Sequence, residues 1–160
     1  MTKFVYLCYM ISFYLFKRRI PLLPFLINKI FVRIIGGCQI GMGAQLGRNV
    51  ILGYGGLGVV IHHNSILGDN VNVGSGVTIG GTTGKNGVPV IGKNTILSSG
   101  CKVIGPISIG DNCVIGANAV VLSDIPPNSV VVGIPAKIIK ENIDINDYLK
   151  NKINSVNKSI

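Results

Sequence analysis

The only two imidazoles in this 160-residue chain are neighbours, His62 and His63. Imidazole is the side chain best matched to moving a proton near neutral pH, so any acid–base chemistry narrows to this pair. The sulfur atoms offer less. The four cysteines, Cys8, Cys38, Cys101 and Cys113, show no Cys-x-x-Cys spacing, and no metal site is expected. Cys101 and Cys113 fall at positions that the chain's repeat directs inward, where a thiol behaves as a small apolar group. Two adjacent surface histidines are often idle. Their value depends on the element that holds them.

That element is a repeat. Aliphatic residues recur every sixth position at Ile91, Leu97, Val103, Ile109, Ile115 and Val121. A smaller or middle-sized residue precedes each by two: Pro89, Thr95, Cys101, Ile107, Cys113 and Ala119. A period of six is neither the 3.6 of a helix nor the simple alternation of a hairpin strand; it marks a solenoid that turns a corner every six residues. One aliphatic side chain per hexad points inward and stacks on its equivalent about 4.8 Å away in the next coil. Gly, Asn and Asp fill the corners, where positive φ costs them little. Three hexads make a triangular coil, so residues 18 apart lie one above another. A lone coil cannot bury its aliphatic side, so several must stack.

The register continues upstream through Ile61, Leu67, Val73 and Ile79, and begins at Ile40, Leu46 and Leu52 after a three-residue phase shift near Tyr54–Gly58. A second break falls at Gly81–Val88, where Lys85 occupies a slot that should be aliphatic, so that segment reads as a loop excursion. His62 takes the corner slot after inward Ile61. Its ring is expected to point outward, beside the Tyr54–Gly58 bulge.

These hexads, with Gly58-Val59-Val60-Ile61-His62, Val77-Thr78-Ile79-Gly80-Gly81-Thr82 and the exit Val132-Gly133-Ile134-Pro135-Ala136-Lys137, resemble the hexapeptide-repeat acyltransferase family over about residues 37–140. The nearest likeness is to serine acetyltransferases and related sugar O-acetyltransferases. The resemblance implies an all-β fold, a left-handed parallel β-helix, here with a short N-terminal amphipathic helix. It also implies a homotrimer with acetyl-CoA lying between two solenoids. In this family a coil-surface His at a subunit boundary is the usual base, which points to His62 first and His63 second.

On the cofactor side the likeness carries over to Ser99 and Ala117, which are 18 residues apart, and to Ser123 and Lys137, with Lys140 and Lys102 as further phosphate-facing candidates. Gly81 lies in a Gly-Gly corner able to contact the thioester. The Asp-His pair of serine acetyltransferases does not carry over. Its slots hold Tyr54 and Gly55 or their neighbours, and the second active-site His falls near Val88-Pro89. Nor is there a carboxylate close to His62 in sequence; Asp69, one hexad on, should occupy a different corner. The missing dyad, and the missing large N-terminal helical domain, favour a hydroxyl of a sugar or capsule-type glycan precursor as acceptor, with serine as the alternative. A silent scaffold is the non-enzyme alternative. A γ-type carbonic anhydrase needs three separated His for zinc, which an adjacent pair cannot supply.

Composition sets the outer bounds. The net charge is +9, from 15 basic and 6 acidic residues, yet the basic residues are scattered and no nucleic-acid-binding motif is present, so no nucleic acid is expected. The division expected is an apolar and amphipathic helical segment at 1–36, the β-helix at 37–140 and a polar tail, a short helix at best, at 141–160. In 1–36 the run Met1–Phe16 is too short for a span and wrongly charged for a signal peptide. Ile20–Ile35 reads as a basic amphipathic helix with Leu23, Ile27, Ile30, Phe31 and Ile34 on one face. It is expected to cap the first coil and to offer peripheral contact with the inner face of the membrane, in a protein of the cytoplasm.

Overall fold

The computed structural model describes residues 2–149, so of the tail expected at 141–160 the part at 141–149 is described, with a short helical turn at 145–149, and the rest lies outside the described residues. A helix α1 (Thr2–Lys17) and a second helical segment precede fifteen short strands. Most strands are two residues long, because each hexad spends its remaining residues turning. The strands wind into three parallel faces. Face 1 has the order β1 (Gln39–Ile40), β4 (Val60–Ile61), β7 (Thr78–Gly80), β10 (Lys102–Ile104), β13 (Val120–Val121). Face 2 stacks β2 (Gln45–Leu46), β5 (Ile66–Leu67), β8 (Val90–Ile91) and β11 (Ser108–Ile109). Face 3 stacks β3 (Ile51–Leu52), β6 (Asn72–Val73), β9 (Ile96–Leu97), β12 (Val114–Ile115) and β14 (Val130–Val132), and ends on β15 (Lys137–Lys140).

Each face sends one aliphatic column into the core. Ile40, Ile61, Ile79, Val103 and Val121 come from face 1, and Leu46, Leu67, Ile91 and Ile109 from face 2. Face 3 adds Leu52, Val73, Leu97, Ile115 and Val131; all are buried. Each contributes on the order of 2 kcal/mol by leaving water. The small slots close the gaps between columns: Thr95, Cys101, Cys113 and Ala119 have no exposed surface. Burial pushes the Cys101 thiol up to about 12 and the Cys38 thiol to about 11, so both stay protonated and inert.

The two breaks in the period are resolved in the register. Ile40 pairs with Ile61, which sits three residues beyond an 18-residue coil, whereas Ile61 pairs with Ile79 at the regular spacing. The extra three residues are the turn at Tyr54–Gly58. Leu67 pairs with Ile91, one whole hexad late, because 81–88 loops out before the chain rejoins face 2. The repeat continues up to the start of its exit motif: Val130–Val132 still pairs in parallel with β12. Only then does the chain reverse, β15 running antiparallel along β14. Outside face 3, Ile145 is buried against Val114 and Val130.

The corner between faces 2 and 3 carries a ladder of asparagines. Asn49, Asn70, Asn94, Asn112 and Asn128 all adopt left-handed φ of 54–60°. Each amide donates to the next: Asn70 to Asn94 at 3.0 Å, Asn94 to Asn112 at 3.0 Å and Asn112 to Asn128 at 2.9 Å. Asn is favoured here because it tolerates that backbone and still hydrogen-bonds along the stack. Asn94→Ala is therefore expected to cost about 2 kcal/mol in urea unfolding, and Asn94→Gly less, since glycine keeps the backbone and loses only the amide.

The open end of the first coil is capped mainly by α1, not by the second helix as the sequence suggested. The hydroxyl of buried Tyr9 lies 2.8 Å from the Gly41 carbonyl oxygen and 2.7 Å from that of Ala44, and Tyr6 donates to the Gly47 carbonyl at 2.9 Å. Burial raises the Tyr9 phenol, which keeps its proton available for these carbonyls. The second segment begins as α2 (Leu23–Ile27) and widens into a π-helical stretch, Asn28–Ile35, where Gly36 N–H reaches the Phe31 carbonyl five residues back. That widening changes the buried face. Pro24 and Val32 are buried while Leu23, Phe31 and Ile34 are exposed, because a π turn takes more residues than the 3.6 assumed in the sequence reading.

Candidate active site

The three corners of the coil become three edges running along the prism. His62 and His63 stand on the edge between faces 1 and 2, directly after β4. The Tyr54–Gly58 turn lies on the edge between faces 3 and 1, at the other end of that strand. His62 is thus not beside the bulge, as expected; four residue steps, about 13 Å of extended chain, separate it from Gly58.

The histidines are fixed from below. Gly41, one coil earlier, packs so closely that a Cβ there would sit 2.5 Å from both N and Cα of His63. The rings lie face to face at 4.1 Å between centroids, tilted by 32°. Asn64 N–H donates to His62 Nδ1 at 3.2 Å, so the neutral His62 ring carries its proton on Nε2. Burial and the charge of His63 hold the His62 imidazole below its ordinary value of 6.5. His63 is exposed, and among the described residues it makes no side-chain hydrogen bond. No described carboxylate bonds to either ring. Asp69 is on the edge between faces 2 and 3, paired with Arg48 at 2.7 Å.

Further along the histidine edge, the excursion and the later corners enclose a hollow of ≈ 480 Å³ lined by Thr82, Lys85, Gly105, Pro106, Leu122 and Ser123 among others. Gly87, at φ 109°, leans on Pro106: a Cβ there would come within 2.7 Å of the proline ring. Gly81 opens this loop and Ser123 closes its far wall, so both share an edge with His62 and His63. Ser99 and Ala117 do not. They stand exposed on the edge between faces 3 and 1, stacked as their 18-residue spacing predicted, with Asn118 N–H donating to the Ser99 carbonyl at 3.0 Å. Lys137 joins that second edge through its pairing with Val132. Lys140 pairs with Val130 at the opposite end of β15, and Lys102 donates to the Gly76 carbonyl at 2.7 Å. Neither extends the Lys137 cluster.

One residue on the second edge stands out beyond those predicted for a role. Tyr54 is 81% exposed and holds φ at 52°, a left-handed backbone that a tyrosine adopts only when the surroundings impose it. The sequence signal for it was the phase shift itself, which locates the turn and says nothing of its strain. Tyr54→Gly is expected to raise stability by about 1 kcal/mol in thermal unfolding.

A three-faced parallel coil of hexads with functional groups along its edges defines the hexapeptide transferase class, and the bacterial transferase hexapeptide family (six repeats) matches residues 89–123. Within that class the chain belongs to the serine acetyltransferase family. It is 42% identical over 135 residues to a Helicobacter pylori serine acetyltransferase, covering 83% of this chain and 78% of that one. To the Synechococcus elongatus enzyme it is 39% identical over 134 residues, covering 82% of this chain but 54% of its relative, so the chain spans about half of that protein. A solved serine acetyltransferase in complex with CoA superposes with a TM-score of 0.77 at 27% identity, over 84% of this chain and 55% of that one. The likeness is to serine acetyltransferases throughout; no relative named here supports the sugar acceptor that the missing dyad suggested.

Proposed function

We propose that the chain transfers an acetyl group from acetyl-CoA to the hydroxyl of serine. The observation that carries this is the 42% identity extending over 78% of the Helicobacter pylori serine acetyltransferase. In this reading the chain assembles as a trimer in which the histidine edge of one protomer faces the Ser99–Ala117 edge of the next. Acetyl-CoA lies in the seam, its pantetheine arm along the small residues Ser99 and Ala117. Lys137 and Ser123 meet its phosphates.

The chemistry then has a simple division. His63 takes the proton of the acceptor hydroxyl as its oxygen attacks the thioester carbon. His62 Nε2–H and the Gly81 N–H donate to the oxygen that becomes negative. The intermediate collapses, the C–S bond breaks, and the CoA thiolate recovers the proton from His63. His63 is preferred as base because the Nδ1 of His62 is already engaged by Asn64 N–H.

A hydroxyl of a sugar remains the second reading, favoured by one observation: among the described residues, neither imidazole has a carboxylate partner. A screen of serine, N-acetylated amino sugars and hexoses, with release of free CoA as the readout, separates the two. Turnover with serine alone is expected; turnover with sugars alone overturns the assignment. Two further outcomes follow from the residues assigned. Lys137→Ala should raise KM for acetyl-CoA about tenfold with little change in kcat, because a phosphate contact is made equally in ground and transition states. Burial and the charge of His63 hold the His62 imidazole below 6.5, so in a pH titration followed by NMR of the ring protons His62 should take up its second proton below pH 6.5. A midpoint for the His62 ring above that value would contradict a depressed imidazole in the pair.

A further inference from the structure

We propose that the N-terminal helical layer is a membrane-docking surface that lies flat on an anionic bilayer. α1 uses only one side to cap the coil, through Val5, Tyr9 and Ser12. Its outward stripe, Phe4, Leu7, Ile11 and Tyr14, follows the same three-and-four spacing and is exposed. A helix resting on a soluble core ordinarily shows a polar stripe to water. This one is apolar on both sides.

The second segment extends the surface. Leu22, Phe25, Leu26 and Ile34 are exposed, and Leu22, held at φ 62°, is 81% exposed. The rings of Phe4 and Phe31 meet at 6.2 Å and those of Phe16 and Phe25 at 5.9 Å, which joins the two segments into one layer at both ends of α1. Contiguous apolar surface of this kind marks an interaction site on a soluble protein.

Charge selects the occupant. Residues 2–37 contain Lys3, Lys17, Arg18, Arg19, Lys29 and Arg33 and no Asp or Glu. Two of these cations lie on the layer's own aromatics, Lys17 at 5.0 Å from the Phe13 ring and Arg18 at 4.5 Å from the Tyr14 ring. A second copy of the layer would bring six positive charges against six. An anionic lipid surface neutralises the charge and receives the apolar stripe together. Among the described residues no helix is long and apolar enough to cross a membrane, so the layer binds in the plane of the interface.

The test is co-sedimentation of the full chain with vesicles of phosphatidylcholine alone or mixed with phosphatidylglycerol. Binding to the mixed vesicles is expected, weakening as salt is raised. The triple substitution Lys17→Glu, Arg18→Glu, Arg19→Glu should lower partitioning at least about 100-fold. Leu22→Ser with Leu26→Ser should lower it about tenfold or more. All five sites are exposed, so the melting temperature should stay within a few degrees, and acetyl transfer in solution should be unchanged. Three outcomes overturn the proposal: no binding to anionic vesicles at low salt; binding indifferent to both sets of substitutions; or substitutions that alter the oligomeric mass by light scattering without any vesicle binding, which would assign the face to a second copy.

Discussion

His63→Ala should lower kcat for acetyl transfer by about 10³-fold and leave the melting temperature unchanged. The size follows from the role. Without a base the acceptor hydroxyl must attack the thioester as a neutral nucleophile, and positioned proton transfer is worth about 10²–10⁴ in rate. Stability should not move, because the ring is exposed and bonds to nothing described in the protein. His62→Ala should cost less, about 10-fold to 100-fold, since it removes one of several donors to the oxyanion. The double substitution should be hardly worse than His63→Ala alone, because groups serving one step do not add. Full turnover in the double variant would remove the pair from the chemistry.

The second large effect is expected at a residue with no side chain. Gly41→Ala should destabilise the fold by about 3 kcal/mol, and should also lower kcat, because the added methyl has nowhere to go. It would stand 2.5 Å from the main chain of His63, and backbone cannot swing aside as a flexible side chain can. Any relief must push the first coil, anchored by Tyr9 on the Gly41 carbonyl, away from the corner that holds the histidines. Gly80→Ala is the control on the same edge. Its nearest neighbour would be the flexible end of Ile104 at 3.7 Å, so it should change stability by less than about 1 kcal/mol. Equal losses at both positions would show that the coil spacing, not the contact with His63, sets the cost.

The fold was legible because its period is unusual. Six-residue spacing with one aliphatic slot has few solutions, and every inward residue from Ile40 to Val121 named from the repeat is buried. The phase shift at Tyr54–Gly58 and the excursion at 81–88 were also readable, since each slips the register by a fixed amount. What the period could not convey was which edge a corner belongs to once three residues are inserted. The spacing therefore places His62 beside a turn that in the structure sits at the far end of its strand. The second helix departs from its 3.6-residue pattern for a related reason: a widened turn shifts the buried face from Leu23 and Ile34 to Pro24 and Val32. The seven site residues share no single location. His62, His63, Gly81 and Ser123 stand on one edge, and Ser99, Ala117 and Lys137 on another. Sequence spacing records stacking within a chain and carries no information on how two chains face each other.

That separation makes subunit mixing the most direct test of a shared seam. One variant would carry His62→Ala with His63→Ala, and the other Ala117→Trp, which fills the second edge. Each alone should be inactive with acetyl-CoA and serine. After co-refolding in equal amounts, about a quarter of the seams would pair two intact edges, so about a quarter of the wild-type rate should return. No recovery from mixed assemblies that demonstrably contain both chains would contradict a site built between protomers.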